Sequence, residues 1–132
     1  MESISLEQRE IIDDALQQIR QSIENLLQWN EGIKDMNTLL TSPAGMQDLA
    51  GNCMVIMAIA ESFKKIDKMT NGCLLHLCPE IPWRQVFGLR NRIAHGYFDI
   101  DVDVISEVIN EDMQPLLEAT QFLIKQNKSY LH

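Results

Sequence analysis

The sequence has little of what marks an exported, membrane-spanning or broadly nucleic-acid-coating protein. Three cysteines among 132 residues are too few for the disulfide framework of a small secreted chain. No apolar run approaches the roughly 20 residues needed to cross a bilayer. Met1-Glu2-Ser3-Ile4-Ser5 lacks the basic start and apolar stretch of a signal peptide. A cytoplasmic protein with reduced thiols and no membrane association is the expectation. There is no glycine-rich phosphate loop, so no nucleoside triphosphate site is expected in the chain itself. Alternating strand patterns, internal repeats and low-complexity segments are missing as well. Positive charge is also in deficit. The net charge of −8 opposes general nucleic-acid binding, which normally draws on a basic surface.

What is present points to helices. The length suits one domain over residues 1–132, and a hydrophobic fraction of 45% is that of a globular chain. Ser5 with Gln8 forms a capping-box signal, followed by Ile12, Leu16, Ile19, Ile23 and Leu26 at helical spacing. That helix should end near Trp29, before Asn30-Glu31-Gly32. Residues 33–40 form a shorter amphipathic stretch, read as a short helix. Ser42-Pro43 then starts a helix whose wide apolar stripe makes it central, with a stop at Asn71-Gly72. Ile81-Pro82 opens a fourth helix reaching Ala94 or His95. Asp101 or Asp103 caps a fifth, which Pro115 should kink or divide because it removes a backbone donor. The expected fold is all-α, an antiparallel bundle of four long helices plus a short one.

Charge is unevenly distributed along this frame. Lys64, Lys65, Lys68, Arg84, Arg90 and Arg92 are six of the eleven Lys and Arg. Only Asp67 and Glu80 oppose them in that stretch. Such a patch can hold a few phosphates or offer a basic face to an acidic partner, and it can equally be a solvated helix face. On an ideal helix turning about 100° per residue, Arg90 falls at roughly −20° from Trp83, inside the apolar sector. A guanidinium there must be paired or open into a groove. Glu61 is a candidate partner, with His95 then acting as a cation at the helix C-terminus. Arg84, Asn91 and His95 share the opposite stripe, with Arg92 beside them. Arg90 and His95 are five apart, hence about 140° apart on a straight helix. One chain brings both to one phosphate only if the helix end unwinds near Gly96; a two-fold dimer would instead juxtapose two copies.

The run Arg90-x4-His95-x-Tyr97, with its Pro79-Glu80-Ile81-Pro82-Trp83 approach and Phe98-Asp99-Ile100-Asp101 exit, resembles the motif of HepT-like members of the HEPN superfamily. Ile59-Ala60-Glu61 resembles that family's apolar-Gly-Glu segment, with alanine in place of glycine. The likeness spans nearly the whole chain in helix order, and its specific part is residues 79–101. The resemblance implies metal-independent RNA cleavage in the cleft of a homodimer. It also implies a partner, an MNT-type nucleotidyltransferase antitoxin that silences the toxin by attaching adenylate to the motif tyrosine. Carried onto this sequence, Arg90 and His95 are the catalytic pair, Asn91, Arg92 and Arg84 support them, and Tyr97 is the modification site. No cofactor or metal is implied.

These residue types fit that chemistry. Cleavage without a metal needs a base for the ribose 2′-hydroxyl, charge stabilisation at phosphorus and an acid for the leaving 5′-oxygen. Histidine, with a reference pKa of about 6.5, can move the protons. Arginine can fork onto two phosphate oxygens. A non-catalytic module that docks a nucleotidyltransferase and presents its substrate is the alternative, and a purely structural dimerisation bundle is a third reading. Tyr97 could equally pack against Trp83 or Phe87. Cys73, His76 and Cys78 lack a nearby fourth ligand and read as a packing cluster rather than a zinc site.

Overall fold

The computed structural model of the chain describes residues 4–94 and 99–131. Helix α1 spans Leu6–Trp29. The Gln8 backbone N–H donates to Ser5 Oγ at 3.1 Å and the Ser5 N–H donates to Gln8 Oε1 at 3.0 Å, completing the capping box. Its buried residues Ile12, Leu16, Ile19, Ile23 and Leu26 recur at three- and four-residue steps, which aligns them on one face.

The stretch after α1 is not an α-helix. A 3-10 helix occupies Met36–Thr41, capped by the Asp35 carboxylate accepting from the Asn37 N–H. Only Met36 and Leu39 are buried there, three apart, a repeat that a three-residue turn presents as well as an α-turn. Helix α2, Pro43–Met69, starts as the sequence predicts, with Ser42 as N-cap and proline in the first turn. It ends at Thr70, and Asn71 (φ 55°) and Gly72 (φ 80°) turn the chain through the left-handed region.

The single fourth helix predicted from the sequence is two short ones. Helix α3, Trp83–Phe87, and helix α4, Leu89–Ile93, are separated at Gly88. Glycine is among the weakest helix formers, so a break falls there at low cost. Helix α4 stops at Ile93, and Ala94 is extended (φ −127°, ψ 124°), pairing with Ile100 in an antiparallel bridge. The Asp101 N–H also donates to the Ile93 carbonyl at 2.7 Å.

Asp101 caps α5, Val102–Glu107, through its side chain. A π-helical turn, Val108–Asp112, leads directly into α6, Met113–Lys128. Pro115 lies three residues past that turn. It has no N–H for the Glu111 carbonyl, and its ring would collide with that carbonyl in a regular α-turn. The wider π-turn accommodates both effects, and the chain stays helical where division was one of the outcomes expected. Among the described residues the architecture is therefore all-α. It has three long helical stretches and a broken fourth, in place of four long helices. No helix of the described residues is long and apolar enough to cross a membrane.

One apolar core joins these elements, drawing on α1, α2, α4 and α6 alike. Two buried polar links tie its edges. Arg9 Nη1 donates to Asn127 Oδ1 at 3.0 Å, Asn127 Nδ2 donates to the Arg9 carbonyl at 2.9 Å, and Tyr130 lies 4.0 Å from the guanidinium carbon. Asn30 and Asn52 exchange side-chain hydrogen bonds at 3.0 and 2.9 Å between α1 and α2. Satisfied buried polar groups of this kind fix one register of packing.

Two glycines of α2 should respond oppositely to alanine. A Cβ on Gly45 would meet the Leu39 carbonyl oxygen and lie 2.8 Å from Leu39 Cα, whereas one on Gly51 would meet nothing within 4 Å. Gly45→Ala should destabilise by about 1–3 kcal/mol, and Gly51→Ala should stabilise by up to about 1 kcal/mol. Urea denaturation of the two variants checks both signs.

Candidate functional site

The sequence motif sits where α3 and α4 are pinned against α2. Trp83 is the anchor. Its indole Nε1–H is shared between the Leu75 and Cys78 carbonyls, at 3.0 Å each. Its ring lies 5.0 Å from Phe63 of α2 and 6.3 Å from Phe87. Leu89 and Ile93, four apart on α4, are buried in the core. With those positions inward, Arg90 and Asn91 are exposed and Arg92 is half-buried.

The helical wheel put Arg90 in the apolar sector, paired or opening into a groove, whereas the structure leaves it exposed. The break at Gly88 resets the helical phase, so a count from Trp83 no longer places Arg90 among apolar neighbours. Glu61 is exposed on α2, and no hydrogen bond or ion pair joins Arg90 to any described residue. Arg84 of α3 is exposed too, as are Lys64, Lys65 and Lys68 on the last turns of α2. Helix α2 packs against both α3 and α4, so these cations belong to adjoining elements. His95 and Tyr97 lie outside the described residues. The backbone on either side of them is held, because Ala94 and Ile100 are bridged. The straight-helix angle between Arg90 and His95 no longer applies, since α4 ends at Ile93.

Sequence reasoning missed a groove on the other flank of α4. It has a volume of about 200 Å³ and lies between α3–α4 and the π-turn with α6. Arg92 reaches it from α4, and Glu111 and Asp112 face it from the π-turn. Partial burial pushes the Asp112 carboxyl up from its ordinary range. The Arg92 charge opposes that shift, and Glu107 and Glu111 add to it. The only signal in the sequence was Pro115, whose effect on the preceding turn is local and tells nothing of what faces it.

Among the cysteines, Cys73 is exposed and Cys78 buried. Burial first, then the charge of Glu80, pushes the Cys78 thiol up to about 11, so it stays protonated at neutral pH and is a poor nucleophile.

The profile described as Ribonuclease HepT-like matches residues 12–123. The chain belongs to the HepT-like ribonuclease family. A protein of Thermococcus cleftensis, provisionally named ribonuclease HepT, is 42% identical over 40 residues, which are 30% of this chain and 36% of that protein. A provisionally named RNase of Methanocaldococcus jannaschii is 23% identical over 86 residues, covering 63% of this chain and 79% of that one. No solved structure matches. The HepT-like match takes in α2 to α5 whole, and with them the Arg90 motif and the groove beside it.

Asp112 gives a testable consequence. A carboxyl whose folded pKa is raised weakens the fold once it ionises, so the cost is absent below the carboxylate range and present above it. Asp112→Asn should therefore raise the thermal midpoint slightly at about pH 7 and leave it unchanged at about pH 3. Differential scanning calorimetry at both values checks this.

Proposed function

We propose that residues 1–132 act as one HEPN-like domain, a metal-independent endoribonuclease and the toxin of a toxin–antitoxin pair. The observation that carries this reading is Arg90, a guanidinium exposed on α4 with no described partner, five residues before His95 in a HepT-like chain. A cation that the fold does not use for its own packing is free to meet a phosphate. In the proposed reaction His95 takes the proton of a ribose 2′-hydroxyl. The 2′-oxygen attacks phosphorus, the bond from phosphorus to the 5′-oxygen breaks, and a histidine returns a proton to that oxygen. Arg90 binds the non-bridging oxygens as charge builds on them. Asn91, exposed beside Arg90, adds a neutral donor.

A second copy of the chain supplies the second motif of the cleft. Helix α2 offers surface for it, because Ala50, Met54 and Ala58 are all exposed along one side, Met54 to 73%. Regulation follows from Tyr97. A nucleotidyltransferase partner joins the tyrosine oxygen to the α-phosphorus of ATP with release of pyrophosphate. The attached adenylate then blocks RNA by bulk and charge. The acidic composition, net −8, is the observation that favours the second reading, a module that docks the nucleotidyltransferase without cleaving RNA.

Total cellular RNA incubated with the purified, unmodified protein in excess EDTA decides between these. Cleavage leaving 2′,3′-cyclic phosphate and 5′-hydroxyl ends is expected, slowed at least about 100-fold in a folded His95→Ala variant. Ends carrying 5′-phosphate would exclude the mechanism, and an inactive wild type would favour the docking module. Incubation with ATP and the partner enzyme should add one adenylate to the intact mass, and the Tyr97→Phe variant should gain none.

A further inference from the structure

The groove beside α4 has a chemistry that phosphate binding does not use. Ile81, Val86, Leu89, Met113 and Leu116 give it an apolar lining. At about 200 Å³ it is smaller than the clefts of about 300–1,000 Å³ that hold drug-sized ligands. It suits one flat ring system better than a whole nucleotide. Arg92 on one side and Asp112 on the other feel each other's charge. Neither makes a hydrogen bond or ion pair with any described residue. Arg92, half-buried, and Asp112, exposed, are thus a donor and an acceptor on two walls of the groove, with its gap between them.

What fills such a gap must donate to a carboxylate and accept from a guanidinium, and must be flat and partly apolar. A phosphate fails the first requirement, and Glu80, Glu111 and Asp112 would repel it. A lysine or arginine of a partner protein fails the second, since Arg92 would repel it. Among the RNA bases, guanine alone presents two adjacent donors, N1–H and the 2-amino group, next to two acceptors, O6 and N7. Adenine and cytosine offer a carboxylate one amino group each, and uracil one N–H flanked by two acceptors. Arginine on guanine O6 and N7 is a recurrent bidentate pairing, and single-stranded RNA bases are read on both of these edges.

We propose that the groove is a subsite for a guanine base of the RNA, its N1–H and 2-amino edge read by Asp112 and its O6 and N7 edge by Arg92. This rests on the ribonuclease reading above for the identity of the strand. Arg90 and Arg92, two apart, stand about 200° apart around α4. The strand then crosses the helix at exposed Asn91, a phosphate on the Arg90 flank and a guanine on the Arg92 flank. The acidic groove raises the selectivity of an otherwise acidic body by accepting a base where it rejects phosphate.

The test is fluorescence-anisotropy binding of short 2′-O-methyl uridine oligonucleotides, which cannot be cleaved, with one central position varied. Central guanosine should bind about tenfold more tightly than central adenosine. Inosine, lacking the 2-amino group, and 7-deazaguanosine, lacking N7, should each lose most of that gain, and neither probe asks anything of a variant's folding. Asp112→Asn and Arg92→Gln, verified as folded, should bring the guanosine-to-adenosine ratio close to one. Equal binding of guanosine and adenosine by the wild type overturns the proposal, as does a preference that survives both substitutions. A guanosine preference without cleavage of the corresponding 2′-hydroxyl RNA supports the subsite and overturns the nuclease instead.

Discussion

The anchoring of Trp83 is the interaction on which the placement of α3, and through it α4, depends. Helices of five residues are too short to hold themselves in water, so α3 and α4 depend on what they are fastened to. The indole N–H, divided between the Leu75 and Cys78 carbonyls, and the ring contact with Phe63 fasten α3 to the connector and to α2. With α3 fixed, Leu89 and Ile93 can only enter the core, and Arg90 is carried outward. The same anchor sets one wall of the groove, through Val86 and Leu89. An aromatic residue with a polar handle suits this post, since it buries a large apolar area and satisfies carbonyls at a tight turn.

The two flanks of α4 differ in charge. On one, Arg90 stands clear of the fold, beside a helix ending in Lys64, Lys65 and Lys68. On the other, Arg92 lines a groove together with Glu80, Glu111 and Asp112. The acidic total is thus compatible with RNA binding on one narrow strip, where attraction is local and screened beyond about 10 Å.

Much of the fold was legible in the sequence because its signals are local. The Ser5–Gln8 capping box, Ser42-Pro43, Asn71-Gly72 and the Asp101 cap each depend on residues within a turn of one another, and each appears where the sequence puts it. The break at Gly88 was not legible, because glycine in a helix is tolerated or not according to tertiary packing. Arg90 was misplaced among apolar residues for the same reason, since a helical wheel presumes an unbroken helix. The motif itself was readable by its residue types, and HepT-like family membership bears out the likeness. Asp112 and its groove were not readable, because they join residues some twenty positions apart across a π-turn. The buried Arg9–Asn127 and Asn30–Asn52 links are long-range pairings of the same kind.

The claim at the centre of this account is that Arg90 serves the RNA and leaves the fold alone. The direct measurement sets the urea-denaturation free energy of Arg90→Ala beside its rate of RNA cleavage in EDTA. The account predicts stability within about 0.5 kcal/mol of wild type and a cleavage rate lower by about 100-fold or more. Stability lost together with activity, or activity retained, would contradict it.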